Sequence, residues 1–403
     1  FLYFTLLVGF YFDEDSLGGA FRDYLSVKII SQDFANDFLL TLYNYDNYAH
    51  RHSPLFTLIL GVFEYFKFND NFVRLLNLHF CLLIPIIFYF CLFEKFKFKK
   101  INKWIFIIIS SLIFLSPTYR SLSIWPSGSI AGLLFFLISV FFYLRFDNTK
   151  ERIYCYLNII FYVVASYFSL NFVLFSVYFF IKYLNYFSIK NITIYNIFVI
   201  NIILSLPAFY YLFYLDVNFL NKPAILNSNL ENIFFSNYFN QILIIPTIFL
   251  FYLVPFLYFG ILKLKKINAK QIILSLIILF ISIYFFDYSY SYTGGGVFFK
   301  LSNYFFENNL LFFFTSFIGL IIVINLLSSN INNFILVILI FLSNPQTSIY
   351  HKYYDPFLLI IFFSLFNLNT NHGEILNKNK YIFIYLYFTL FLILNLIKTI
   401  WKI

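Results

Sequence analysis

The chain has 403 residues, 62% of them apolar and 11% charged, with a formal charge of +9. Soluble domains are about half apolar and about a quarter charged, so this composition excludes a water-soluble globular fold and marks an integral membrane protein. Nucleic-acid binding is set aside as well, because the basic residues sit in short loops between apolar segments, where positive charge sets orientation in a bilayer.

The 63 Phe and 35 Tyr, with Ile, Asn and Lys preferred over Ala, Gly and Arg, read as the footprint of an AT-rich genome. Cys81, Cys91 and Cys155 lie in apolar stretches without CxxC spacing, which predicts neither a disulfide framework nor a thiolate metal site.

Phe1 to Phe12 supply about a dozen apolar residues before an acidic run, whereas a spanning helix needs about 20. The chain does not open on Met, and the expectation is a first helix lacking its N-terminal stretch rather than a cleaved signal peptide. Asp13 to Asn71 then forms a long polar loop with nine of the 18 acidic residues: Asp13, Glu14, Asp15, Asp23, Asp33, Asp37, Asp46, Glu64 and Asp70. Inside it Leu17, Phe21, Tyr24, Leu25 and Lys28 recur at helical spacing with Arg22 and Asp23 opposite, predicting an amphipathic helix in the membrane interface. Pro54 to Phe66 is a second such segment, laid along the outer surface because it is too short to cross.

The remaining apolar segments predict helices over 72–93, 104–118, 128–146, 153–170, 172–189, 193–215, 241–262, 271–286, 310–327, 332–345, 354–367 and 381–401. The expected fold is an all-α polytopic bundle of about 12–13 helices in one transmembrane domain. Lys95 to Lys103, Arg145 to Arg152, Lys182 with Lys190, Lys263 to Lys270, and Lys378 with Lys380 hold 16 of the 27 basic residues. They share one side, cytoplasmic by the positive-inside rule, if the chain starts in the cytoplasm. The outward side then carries the first loop and the segments 119–127, 216–240, 287–309 and 346–353. Thr293 to Gly296 lacks the strand before it and the Lys-Ser/Thr after it that a phosphate-binding loop needs, and reads as a flexible, lid-like segment. His79 and Glu94 read as structural, and His372 as an ordinary loop residue.

Chemistry concentrates outside. Asp13 and Glu14 leave the end of the first helix, where rigid backbone can hold a carboxylate at the water boundary to act as a general base; the competing reading is that they only mark that boundary. His50, Arg51 and His52 place three potential cations before Pro54, suited to a phosphate. The His-x-His pair with a carboxylate is the alternative zinc reading. Arg120 next to Trp125-Pro126-Ser127, and Tyr350-His351-Lys352-Tyr353-Tyr354-Asp355-Pro356, complete the outward polar groups. Taken singly, Arg120 and Lys352 read as cations snorkelling to headgroups.

The succession of features resembles the GT-C superfamily of polytopic glycosyltransferases, which includes protein O-mannosyltransferases, the lipid A aminoarabinose transferase and the dolichyl-phosphate-glucose glucosyltransferases. The residues that carry the resemblance are the acidic pair Asp13-Glu14, His52-Ser53-Pro54-Leu55, Phe72-Val73-Arg74-Leu75, the basic turn Phe93 to Lys100, Ser116-Pro117, and Tyr119 to Gly132. They cover about the first 145 residues and, faintly, 350–360. Ser53 stands where the family has Pro, and Trp125 to Gly128 carries no second carboxylate.

The resemblance implies a conserved module over 1–215 and variable helices over 216–403. It implies inverting transfer of a sugar from a polyprenyl-phosphate donor to a glycan, lipid or protein acceptor at the outer face of the membrane; the AT-rich composition and modest length point to a bacterial inner membrane. Asp13, or else Glu14, is then the base. Arg51, His52, Arg120, His351, Lys352 and Tyr353 are the expected substrate-binding residues, with Arg51, His52, Arg120 and Lys352 balancing the leaving phosphate. A divalent metal is compatible with this chemistry but not required by it. Two other classes remain as rivals: an O-antigen polymerase or ligase, expected to carry its large loop late and rich in Arg, and a transporter or lipid flippase, expected to show broken helices and similar halves.

Overall fold

A computed structural model describes residues 1–48, 50, 52–97, 102–215, 230–289, 294–344, 348–370 and 378–401; of these, the side chains of 230–237, 369–370, 378 and 399–401 are not described. Arg51, Thr293, His372 and the start of the predicted outward loop at Asp216 therefore lie outside the described residues.

In hydrocarbon each backbone N–H and C=O must be paired within the protein, and the apolar runs accordingly form helices at every predicted segment. Among the described residues, seven helices are long and apolar enough to cross a bilayer: Asp70–Lys95, Gly128–Thr149, Leu170–Phe187, Ile192–Tyr214, Tyr238–Tyr258, Leu310–Ser329 and Asn379–Lys398. Lys103–Leu115 and Pro117–Ile124 make an eighth if this pair, bent by 68°, is one broken span. Leu2–Tyr11, Leu55–Tyr65, Arg152–Phe168, Ala269–Tyr284 and Ile331–Leu342 are shorter apolar helices. The chain is an all-α, multi-pass membrane protein.

In chain order, α1 is Leu2–Tyr11, α2 Ala20–Asn36, α3 Phe38–Tyr43, α4 Leu55–Tyr65, α5 Asp70–Cys81, α6 Leu83–Lys95, α7 Lys103–Ser111, α8 Pro117–Ile124, α9 Gly128–Thr149, α10 Arg152–Phe168, α11 Ser176–Phe187 and α12 Ile192–Phe209. There follow α13 Leu230–Tyr258, β1 Leu262–Lys263, α14 Ala269–Tyr284, α15 Gly296–Phe306, α16 Leu310–Ser329, α17 Ile331–Leu342, α18 Phe357–Ser364, β2 Asn369–Thr370 and α19 Lys378–Trp401. Helix starts are written in polar residues. The side chains of Asn69, Ser116, Ser127 and Asn268 accept backbone N–H groups at the starts of α5, α8, α9 and α14, and Pro117 occupies the first position of α8.

The chain divides into two compact parts, Phe1–Lys222 with Phe388–Ile403, and Pro223–Tyr387. In the first part α9 and α10 form the central pair. Phe136 stacks on Phe172 at 4.7 Å and Phe135 on Phe168 at 5.3 Å. Several buried polar groups there are paired with one another, as a low-dielectric setting favours. Asn158 Nδ2 donates to Ser139 Oγ at 2.8 Å, and Tyr183 donates to Asn158 Oδ1 at 2.9 Å. At the end of α6, Glu94 is buried, accepting from Asn148 Nδ2 at 2.8 Å with Lys97 and Arg145 at 3.7 and 3.8 Å. The predicted amphipathic segments are α2 and α4, which pack together. α2 buries Tyr24, Val27, Ile30 and Phe34 and leaves Phe21, Leu25 and Ile29 exposed.

In the second part α13 packs against α16, and β1 pairs antiparallel with β2 through Leu262↔Thr370. The glycine run read as a flexible segment is instead a tight turn into α15. Gly294 and Gly295 have φ of +108° and +81°, and Gly295 N–H donates to Ile349 O at 2.9 Å. A Cβ on Gly294 would stand 2.4 Å from that same carbonyl oxygen, so the turn can close only on a residue without a side chain.

Candidate functional site

At the end of α1 the chain reverses in two residues. Asp13 takes a left-handed backbone with φ +52°, a conformation that Asp tolerates better than most residues, and Glu14 N–H reaches back to Gly9 O at 2.8 Å. The reversal sends the two neighbouring carboxylates in opposite directions.

Asp13 points outward, its side chain 63% exposed, and Arg74 Nη2 donates to its Oδ1 at 2.5 Å. Arg74 lies early in α5 and is only 8% exposed. Its guanidinium rests on the Trp125 ring at 3.7 Å with Phe10 at 5.0 Å, and its Nε and Nη1 donate to Ile124 O at 3.3 Å and Asn71 Oδ1 at 3.4 Å. A guanidinium stacked and bonded in this way has one geometry. It fixes one oxygen of Asp13, and among the described residues nothing else bonds that carboxylate.

Glu14 points inward. Arg120 of α8 grips it with Nε to Oε1 at 2.7 Å and Nη2 to Oε2 at 2.5 Å, both side chains being buried. Arg120 also donates to Thr5 Oγ1 at 3.1 Å and to Thr5 O at 2.9 Å, which ties the turn to the body of α1. A Cβ on Gly9 would lie 2.2 Å from Glu14 Oε2, so the pair fits only because that residue is glycine. Trp125 Nε1 donates to Glu14 O at 3.1 Å, so a single indole supports Arg74 through its ring and Glu14 through its N–H.

Most other carboxylates of the first loop have structural work. Asp15 accepts from Gly18, Ala20 and Phe21 N–H and caps α2, Asp37 caps α3, and Asp33 accepts from Tyr48 at 2.8 Å. Asp70 accepts from Lys28 and, at 3.1 Å, from the Tyr24 hydroxyl; burial and that carboxylate raise the Tyr24 pKa. Asp13 alone among these paired or capping groups combines wide exposure with a buried cationic anchor.

Of the histidines before Pro54, His50 is drawn down to about 4 by burial, with Asp23 opposing, so it is neutral at pH 7 and not a cation. His52 is half-buried, its ring edge-on to His50 at 5.2 Å and its carbonyl accepting from Tyr45 at 3.0 Å. Arg120, expected to face a lipid phosphate, is instead enclosed with Glu14 and Thr5.

His351, Lys352 and Tyr353 belong to the second part and form a short turn ahead of α18. The His351 ring stacks on Tyr252 at 5.8 Å, with Nε2 3.3 Å from the Tyr252 hydroxyl, which donates to the buried Asp355 at 2.5 Å. Burial lowers the His351 pKa against the pull of Asp355. Lys352 Nζ lies 5.2 and 5.7 Å from the Tyr350 and Tyr353 rings.

Among the described residues no group of three or more His, Cys, Asp or Glu stands close enough together to hold a metal ion. The sequence reading passed over Arg74 as a site residue, along with Thr5 and Gly9. The signal for Arg74 was present: an arginine near the start of an apolar helix needs an anion at that end of the membrane, and Asp13-Glu14 is such a pair. No protein-family model, curated protein or solved structure matches the chain.

Proposed function

We propose that the chain is a GT-C-type glycosyltransferase that moves a sugar from a polyprenyl-phosphate donor to an acceptor hydroxyl at the outer face of a bacterial inner membrane, with inversion. The observation that carries this reading is the Asp13 carboxylate, open to water through one oxygen and clamped by the buried Arg74 through the other. A base must be both accessible and aimed, and Asp13 meets both conditions.

In this mechanism the free Asp13 oxygen takes the acceptor hydroxyl proton as that hydroxyl oxygen attacks the anomeric carbon. The bond from that carbon to the phosphate oxygen breaks on the opposite face, and the phosphate leaves with the electron pair. Glu14, spent on Arg120, holds the turn rather than the proton. A donor with a long apolar tail requires a protein embedded in lipid, as this one is, and the positive-inside rule applied to the Lys- and Arg-bearing loops of the sequence puts the first loop outward.

The test is an assay in proteoliposomes with a panel of radiolabelled polyprenyl-phosphate hexoses and mixed acceptors. Asp13→Asn is expected to lower transfer by about 10²–10⁴-fold, the usual contribution of a general base. Wild-type rates in Asp13→Asn, or no transfer from any donor by the wild type, would sink the reading.

A further inference from the structure

His79 lies within the spanning helix Asp70–Lys95 and is exposed, on the stripe formed by Phe72, Leu76, Leu83, Ile86 and Phe90, all apolar and all exposed. This is the face such a helix turns to lipid. Tyr3 of α1, 38% exposed, places its hydroxyl 3.0 Å from His79 Nε2. A polar pair on a lipid-facing surface is costly and marks a functional site more often than a structural one.

The geometry points to the Tyr3–His79 pair as the contact for the phosphate of the lipid-linked donor, an inference that rests on the transferase reading above. His79 Nδ1 lies 2.8 Å from Leu75 O, and since a carbonyl only accepts, Nδ1 carries the proton and Nε2 is the acceptor that Tyr3 satisfies. An arriving phosphate takes the Tyr3 hydroxyl hydrogen bond in place of His79 Nε2, and the His79 ring, held through Nδ1 by Leu75 O, fixes where that hydroxyl stands; among the described residues no carboxylate is bonded to either side chain. A neutral headgroup would draw less from that donor.

The position also suits inversion. His79 is five residues beyond Arg74 in α5, about 7–8 Å along the helix at 1.5 Å per residue. The base and the leaving phosphate of an inverting transfer lie on opposite sides of one sugar ring, and Arg74 and His79 likewise face different sides of α5, the one buried and the other exposed. The acceptor arrives from water at Asp13 and the phosphate stays on the lipid side at His79. Read from sequence alone, His79 is merely structural; its lipid-facing position is what changes that.

The experiment measures binding of a fluorescent undecaprenyl phosphate to the full chain in phosphatidylcholine nanodiscs, with unlabelled undecaprenyl phosphate, phosphatidylglycerol and inorganic phosphate as competitors. Wild type is expected to bind, with displacement by the polyprenyl phosphate alone. Tyr3→Phe and His79→Gln should each weaken binding about tenfold, as loss of a bond to a charged group does. Should either variant fold poorly, a benzophenone amino acid at Leu83 is expected to cross-link the bound lipid, and the same group at Ile160, exposed on α10, is not. Unchanged binding in both folded variants, equal displacement by phosphatidylglycerol, or equal cross-linking from both positions would overturn the site. Because binding is read without turnover, a wild type that binds undecaprenyl phosphate yet transfers no sugar would overturn the transferase reading while leaving this site intact.

Discussion

Asp13 and Glu14 are adjacent in the chain, and their carboxylates part company: Asp13 meets Arg74 at the surface, Glu14 meets Arg120 in the interior. Two acids with two surroundings are expected to behave differently when removed. Glu14→Ala leaves the guanidinium of Arg120 buried without its counter-charge, which costs about 3–5 kcal/mol. Asp13→Ala also takes the anion from a buried guanidinium, but Arg74 keeps its stack on Trp125 and its bonds to Ile124 and Asn71, so the loss of stability is expected to be smaller. Thermal unfolding of the purified variants in detergent checks this, and a Glu14→Ala protein as stable as Asp13→Ala would show that the buried pair contributes little.

Gly9→Ala tests the same pair from the helix side. The added methyl would press on Glu14 Oε2 from 2.2 Å, so the carboxylate or the helix must shift, at about 1–3 kcal/mol. With Glu14→Ala in place the nearest obstacle is gone and Arg120 Nη2, 3.0 Å from the added methyl, is freed from its partner, so the second substitution should cost much less than in the wild type. Strict additivity in this double-mutant cycle would show that Gly9 matters for another reason.

Arg74→Lys keeps the charge but loses the flat stack on Trp125 and the fan of bonds to Ile124 and Asn71. Asp13 then keeps a cation nearby without a fixed aim. Sugar transfer should fall by about 10²-fold, the scale of a misplaced catalytic group, while kcat falls more than KM rises. A lysine variant with wild-type kcat would remove Arg74 from the mechanism.

Asp15 is the third acid of the run and has a purely local job at the start of α2. Asp15→Ala should lower stability by about 1 kcal/mol, as loss of a helix cap does, with transfer unaffected. A loss of activity like that of Asp13→Asn would mean that the whole acidic run acts together.

How much of this was legible beforehand depends on how far apart the partners lie in the chain. A spanning helix writes itself as a continuous apolar run, so the bundle could be read directly, and so could α2 from the spacing of Leu17, Phe21 and Tyr24. The division of labour between Asp13 and Glu14 could not, since Arg120 stands 106 residues from Glu14 and Gly9 announces nothing about the carboxylate it admits. α15 was hidden for a different reason. Gly294 to Gly296 signals a turn, and whether that turn is loose or packed is decided by Ile349, far along the chain.

The pH dependence of stability should carry the mark of His50. Burial holds its folded-state pKa at about 4 against an ordinary value of 6.5, so the folded chain refuses a proton that the unfolded chain accepts. Above pH 6.5 neither form is protonated and the full stability is present. As the pH falls from 6.5 towards 4 only the unfolded chain gains the proton, and stability drops by roughly 3 kcal/mol over that window. His50→Gln removes the linkage, so its unfolding midpoint should decline less than that of wild type between pH 6.5 and 4. Carboxylates titrating near the lower limit act on both proteins alike, which makes the difference in slope the diagnostic quantity. Parallel slopes would show that His50 is solvated in the folded protein, and the packing of its ring beside Tyr45 and His52 would then have to be redrawn.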